Sequence, residues 1–314
     1  MRKDLDYIIP RVDRALLRSE LNDQTFVRKT NKANNEIYVV NQKNSPHTIQ
    51  EIGRLREITF TLSGGGTGKE VDLDEFDLSD RCYNQLIVFA PDEQEIIGGY
   101  RFIDCSKILD TDPLALSTAH YFEFSDKFKS DYLPKTIELG RSWIQPLYQS
   151  GAQARKGLFA LDNLWDGVGA INVDNPHIEH FFGKVTMYPD YNKIARDAVL
   201  SFIKYFFGDT QELVVPHTPL VLESDLGDFM KEIHGLEYKE AHRILGRFVK
   251  ERGEMIPPLI NSYMSLSPTM KSFGTALNLD FGGVEETGIL VTIADIYDSK
   301  KQRHVESYLS QKEI

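Results

Sequence analysis

Four short stretches of this chain put ionisable side chains against apolar ones. "RLREITF" carries Arg54 and Arg56, and "DLDEFD" carries Asp72, Asp74, Glu75 and Asp77. "GGYRF" carries Arg101 straight after a glycine pair, and "IELGRSW" carries Glu138 and Arg141 beside Trp143. A charge taken out of water is costly unless an opposite charge meets it. Arginines and carboxylates converging on one sheet would satisfy one another. They would also form a site of perturbed pKa values, in which a carboxylate can serve as a base. Taken singly, each stretch reads first as a solvated strand end or loop; the order and spacing of all four carry the argument.

Periodicity supplies the elements around them. "SPHTIQEIGRLREITFTL" predicts a helix: Ser45 or Thr48 caps it, Pro46 suits its first turn, and Ile49, Ile52, Leu55, Ile58 and Thr59 form one face. "YNQLIVFA" and "EIIGGYRFID" predict two strands, joined as a hairpin by "PDEQ". "KTIELGRSWI" predicts a strand, "ARKGLFALDNLWDGVGAI" a helix, "HFFGKVTMY" a strand and "DYNKIARDAVLSFIKYFFG" a periodic helix. A helix ("YKEAHRILGRFVKERG"), a Pro-Pro break and a terminal strand ("GILVTIADIYD") follow. This is no strict β-α alternation, so a doubly wound dinucleotide-binding sheet is not expected. An α/β (α+β) fold is, with a mixed central sheet and helices on both faces. Residues 1–46 read as a helical N-terminal extension, and 47–314 as the main domain, with a C-terminal extension from about 210.

The glycine-rich "TLSGGGTGKEVDLDEFD" is no phosphate loop. Gly68-Lys69 fits the end of G-x-x-x-x-G-K-[ST], but Ser63 stands at the first glycine and Glu70 at the final hydroxyl. The net charge of −11 over 314 residues argues against a general nucleic-acid binder, which needs a basic face. Cys82 and Cys105 have neither metal-ligand nor disulfide spacing. The start "MRKDLDYIIPRVDRALLRSEL" lacks a signal-peptide pattern, and no apolar run approaches the ~18 residues that span a bilayer. The expected location is cytoplasmic, at most on the inner membrane surface. "RVDRALLRSEL" is a short amphipathic helix that either packs on the body or meets a membrane through its arginines and Leu16, Leu17 and Leu21.

The series "LREITF", "DEFD", "YNQLIVF", "IIGGYRF", "ELGR" and "HFFGKVTMYPDY" resembles the GNAT-superfamily N-acyltransferases that make amino-acid lipids. These are the ornithine-lipid and glycine-lipid synthases, often labelled hemolysins and related to acyl-homoserine lactone synthases. The resemblance covers about residues 45–210, and "MIPPLINSYMSLSP" and "ALNLDFGG" extend it toward the C-terminus. It implies a GNAT-like sheet. The family's R-x-x-x-F falls on Arg56 and Phe60, its D-x-x-D on Asp74 and Asp77, its G-x-x-R on Gly98 and Arg101, and its E-x-x-R on Glu138 and Arg141. In the family these residues gather at the acyl-transfer site, with the glutamate as suggested base. The superfamily's pyrophosphate loop is only loosely matched by "QARKGLFA", where Arg155, Lys156 and Gly157 stand. Lactone synthases carry a tryptophan where this chain has its glycine-rich loop.

The resemblance implies aminolysis of a thioester: a long, 3-hydroxylated acyl group moves from acyl carrier protein, or from acyl-CoA, to the amine of an amino acid of the glycine or ornithine type. No metal or tightly bound cofactor is expected. Arg56, Arg101 or Arg141 would hold the substrate carboxylate, and Trp143 lies beside them. Lys127, Lys129 and Lys135, with Arg155 and Lys156, would dock the acidic carrier. No histidine has an aspartate five positions on, so a second, O-linked acylation needs a separate protein. The alternatives are a lactone-like signal synthase, a short-chain acetyl-CoA-dependent N-acetyltransferase and a non-enzymatic membrane-lysing protein. The glycine-rich loop is expected to be a mobile lid.

Overall fold

Among the described residues, Pro46 opens the longest helix and Gly64 closes it in the left-handed conformation, at φ 103°. Pro46 stands in the first turn as expected, but neither Ser45 nor Thr48 caps the helix by its side chain; the Glu20 carboxylate accepts from the His47 and Thr48 N–H groups instead. The structure, a computed structural model, describes residues 5–111, 113–149 and 159–312. In chain order, α1 (Arg14–Glu20), β1 (Phe26–Lys29) and β2 (Glu36–Val40) precede that helix, α2 (Pro46–Ser63). Next come the one-turn helix α3 (Glu75–Leu78), β3 (Asn84–Ala90), β4 (Glu95–Asp104), β5 (Phe122–Phe124), β6 (Thr136–Ile144) and α4 (Ala160–Asp174). β7 (His180–Met187), α5 (Lys193–Phe207), β8 (Val214–Pro216), α6 (Gly227–Ile233), α7 (Tyr238–Lys250) and α8 (Pro258–Met264) follow. β9 (Lys271–Asn278), β10 (Val284–Thr292), α9 (Asp298–Lys301) and α10 (Ser307–Lys312) complete it.

These elements form two compact units. Unit 1 is Met1–Ser117, Leu133–Glu179 and Tyr297–Ile314; unit 2 is Thr118–Tyr132 and His180–Ile296. In unit 1, β1, β2, β3, β4 and β6 are neighbours in that order, and every pair is antiparallel. The link "PDEQ" turns β3 back into β4, with Gln94 at φ 54°. Side chains alternate across a strand, and Gln85 and Leu86 show both faces occupied. Gln85 donates to Asp77, which also binds Arg56 of α2. Leu86 packs so closely on Gly167 of α4 that a Cβ there would lie 2.7 Å from it.

The ladder between β4 and β6 is irregular where the chemistry is expected. Arg101 faces Gly140, yet Gly99 faces Trp143, so Arg141 and Ser142 oppose Tyr100 alone. This is a β-bulge, a device that re-aims side chains, and Arg141 sits in it at φ 46°. The close approach explains the glycine pair. A Cβ on Gly98 would collide with the Trp143 carbonyl, and one on Gly99 would lie 2.7 Å from the Leu86 carbonyl.

Residues 1–46 hold helix α1 and also a strand pair, β1 and β2, absent from the sequence reading. Leu17 of the first helix and Leu21 just after it are buried, at 0% and 4% exposure, and Leu16 is open. The helix packs on the body, so those two leucines are not a membrane face. Among the described residues no helix is long and apolar enough to cross a membrane.

In unit 2, β10 lies between β7 and β9, antiparallel to both, and β5 pairs with β8. α5 buries Ala195, Ala198, Val199 and Phe202, the i, i+3, i+4, i+7 stripe of an amphipathic helix. Phe124, Phe128, Phe182 and Phe273 interlock by ring contacts of 5.3–6.1 Å.

Candidate functional site

Helix α2, the turn into α3, and strands β4 and β6 bring the charged residues of unit 1 together as a buried lattice. Arg56 donates from Nε to Asp72 Oδ2 at 2.9 Å and from Nη1 to both oxygens of Asp77 at 3.2 and 3.3 Å. Arg101 donates to both oxygens of Asp74 at 2.7 Å and to Asp77 at 3.3 Å. The Arg141 Nε is 3.1 Å from Asp72, and its Nη2 is 3.7 Å from Asp74. Asp74 also caps α3, accepting from the Phe76 and Asp77 backbone N–H groups, while Asp77 accepts from the Asp74 N–H. The acidic run is therefore the ionic counterpart of three arginines rather than a solvated loop.

Electrostatics fix the protonation states. Burial pushes the Asp77 carboxyl up, but Arg56 and Arg101 overcome it and hold it well below the usual carboxylate range. Burial likewise raises Asp72, and Arg141 and Arg56 bring it below its ordinary value. Burial alone would lower the two inner guanidiniums. Asp72 and Asp77 raise Arg56 instead, and Asp77 and Asp74 raise Arg101. All are charged at neutral pH. Arg101 further lies over the rings of Tyr83, 5.2 Å from its centroid, and Phe76, at 5.6 Å.

Glu138 is the second part of the site. It is fully buried on β6. Tyr83 donates its hydroxyl to Oε2, and Ser117 donates its own to Oε1 at 2.8 Å. The Ser117 backbone N–H binds the Tyr83 hydroxyl at 3.0 Å, closing a triangle. Burial, then the nearby Glu138 charge, pushes the Tyr83 phenol well above its usual value, so it stays protonated and donates.

The glycine-rich segment does cradle an anion, and the anion is the protein's own. The buried Glu57 carboxylate accepts from the Thr67 N–H at 2.9 Å, the Thr67 hydroxyl at 2.7 Å and the Gly68 N–H at 2.8 Å. Tyr7 and Thr61 add hydroxyls at 2.9 and 3.1 Å. The loop expected to be a lid is fastened in this structure, and Gly66 supplies the φ of 96° that its path needs.

Of the remaining expected residues, Phe60 is buried in the last turn of α2, its carbonyl bound by the Gly65 N–H at 2.9 Å. Trp143 is buried on β6, its indole N–H without a hydrogen-bond partner among the described residues. Arg155, Lys156 and Gly157 lie outside the described residues.

The sequence profile of the acetyltransferase (GNAT) domain matches residues 55–156, a span that holds every expected site residue but Gly157. Curated relatives extend over nearly the whole chain. It is 48% identical over 307 residues to the glycine N(alpha)-acyltransferase of Bacteroides thetaiotaomicron, covering 97% of this chain and 91% of that one. It is 47% identical over 313 residues to the glycine N(alpha)-acyltransferase of Phocaeicola vulgatus, covering 98% and 95%. The chain belongs to this glycine N(alpha)-acyltransferase family. It is an acyltransferase enzyme with a GNAT-like α/β fold, as its motifs implied. Among solved structures, a CoA-dependent acyl-homoserine lactone synthase, BjaI, in complex with SAM and isopentyl-CoA, aligns over 89% of this chain and 90% of its own, at TM-score 0.36 and 10% identity.

In this member of the acyltransferase family, the sequence reading missed Tyr83, Gln85 and Ser117 and left Asp72 unranked. Gln85 had a signal: it is a polar residue inside an apolar strand, in register with Arg101. Ser117 had none, because it belongs to a short 3-10 turn with no periodicity.

Proposed function

We propose that this enzyme transfers a long fatty acyl group from an acyl carrier protein thioester to the amino group of glycine. The observation that carries the reading is the 47–48% identity, over nearly the full length, to two glycine N(alpha)-acyltransferases. The Glu138–Ser117–Tyr83 triangle supports it, because amide formation needs a base. The amine attacks the thioester carbon, the carbon–sulfur bond breaks, and the amine's surplus proton must leave. It passes to Ser117 Oγ as the Ser117 proton passes to Glu138, and the departing thiolate finally takes it up. The tightness of the triangle holds the carboxylate ready at one distance.

Arg141 is the residue we assign to the glycine carboxylate. Its side chain is 15% exposed, against 0% for Arg56 and 3% for Arg101, which are consumed by aspartates. A strained backbone at a bulge fits a side chain aimed for function. Arg56 and Arg101, with Asp72, Asp74 and Asp77, then form the rigid floor that positions it. Arg155, Lys156 and Gly157 are assigned to the phosphate of the donor's pantetheine arm.

The test is expression in a host without amino-acid lipids, with mass spectrometry of its lipid extract and Glu138→Gln alongside. An N-acyl glycine that vanishes in the variant is the expected result. An N-acyl ornithine would reassign the acceptor, and an unchanged extract with turnover of acetyl-CoA by the pure enzyme would replace this reading by a short-chain N-acetyltransferase.

A further inference from the structure

Helix α7 is sharply two-sided. Ala241, Ile244, Leu245 and Val249 are buried, so its apolar face is committed to the core of unit 2. The opposite face carries Lys239, Arg243 and Lys250, all exposed. At 3.6 residues per turn these three fall within an arc of about 40°. Among the described residues their side chains make no ion pair or hydrogen bond. Arg247, at the edge of the stripe, is held by Glu232 and lies 4.0 Å from Glu251. Of the lysines first expected to dock the carrier, Lys127 is bound to Gln211 and Lys135 to Glu179, while Lys129 is exposed. Three uncompensated cations on one helix face run against the net charge of −11.

Gly246 lies on the same face, one turn from Arg243 and one from Lys250. A glycine inside a helix is destabilising relative to alanine. Crowding does not explain it here, since a Cβ on Gly246 would meet nothing within 4 Å. It leaves bare backbone between two cations, and small residues let a second helix approach closely.

We infer that this face of α7 docks an acidic helical protein, the chemical class of an acyl carrier. Carboxylates of the partner helix pair with Lys239, Arg243 and Lys250, and its backbone passes over Gly246. The inference rests on the carrier-thioester donor proposed above and adds the surface that receives it. An anionic membrane is the other ligand class for a basic helix. A helix lying on a bilayer buries its apolar face among the acyl chains, and that face of α7 is occupied. A bare glycine adds nothing to headgroup binding.

The test compares wild type with the triple variant Lys239→Glu/Arg243→Glu/Lys250→Glu and with Gly246→Leu. Each is assayed for kcat/KM with acyl carrier protein and with the same acyl group on CoA, for binding of the carrier and of anionic phospholipid vesicles, and for Tm. With the carrier, the triple variant is expected to lose at least about tenfold in kcat/KM, and wild type to weaken with added salt. Turnover of acyl-CoA should be unchanged. Gly246→Leu should lower carrier kcat/KM with Tm held or raised. Carrier kinetics equal to wild type in both variants overturn the dock and leave the donor reading standing. Wild type that uses acyl-CoA but neither binds nor uses the carrier overturns both. Loss confined to vesicle binding also overturns the dock and gives this face to the membrane.

Discussion

Ser117 donates its hydroxyl to Glu138 Oε1 at 2.8 Å while its backbone N–H holds Tyr83, the other donor to that carboxylate. A single exchangeable proton thus stands between a fully buried base and the far side of Ser117. Glu138→Gln should lower kcat by about 10²–10⁴-fold. Ser117→Ala should lower kcat by a smaller factor with the KM for glycine little changed. A kcat–pH profile for both variants and for Tyr83→Phe checks the route; full kcat in Ser117→Ala would send the proton by another path.

Arg141 should govern glycine affinity as well as part of the lattice's stability. A hydrogen bond to a charged group contributes about 1.5–3 kcal/mol, so Arg141→Gln should weaken glycine by roughly 10–100-fold in KM; because Arg141 also pairs with the buried Asp72, Tm should fall too, by less than in Arg56→Ala. Arg141→Lys should restore only part of it, because an ammonium cannot pair bidentately. Steady-state kinetics over a glycine series decide this, and an unchanged KM would remove the residue from the acceptor site.

Arg56 and Asp77 should behave in the opposite way. Both are fully buried and joined at 3.2 Å. Removing one partner of such a pair strands the other's charge and costs about 3–5 kcal/mol. Arg56→Ala and Asp77→Ala should each lower the denaturation midpoint strongly, and the double variant should cost less than the sum of the two. Urea titrations of the cycle read the coupling.

Acid should act through the same aspartates. Asp72 and Asp77 titrate lower in the folded protein than in the unfolded chain. The unfolded state therefore binds more protons as pH falls toward the ordinary aspartate value of about 3.9, and stability rises with pH there. The contribution is complete at neutral pH and is lost below about pH 4. Melts between pH 3 and 7 should show that slope, and it should flatten in Asp77→Asn.

Gly98→Ala should damage the sheet at the bulge. The added methyl would run into the Trp143 carbonyl, which is backbone and cannot swing aside. Overpacking of this kind costs about 1–3 kcal/mol. Gly140→Ala is the control, because its nearest neighbour would be the Arg101 side chain at 3.6 Å; thermal melts of the two should differ by several degrees.

Helix α2 and the hairpin of β3 and β4 were legible because their patterns are local: a proline in the first turn, one apolar helical face, and two apolar runs around a polar link. So was a convergence of arginines and carboxylates, since charges in apolar surroundings need partners, and the resemblance's motifs placed it on Arg56, Asp74, Asp77 and Arg101. Strands β1 and β2 were not, because they are short and are held in the sheet through β2, which pairs with a distant β3. The bulge at Arg141 was invisible for the same reason: a bulge is a mismatch between two strands, and one strand's sequence does not show it. Ser117 enters only through the fold that carries its turn to β6.

The cradle around Glu57 makes two distant parts of the chain answerable to one carboxylate. Tyr7, near the N-terminus, and the Thr67–Gly68 backbone satisfy the same two oxygens. If the glycine segment swings away, Glu57 loses three of its donors at once and is left to Tyr7 and Thr61. The loop and the N-terminal segment beside it thus share a fastening, and shortening the N-terminus is a way to loosen an element about sixty residues further on.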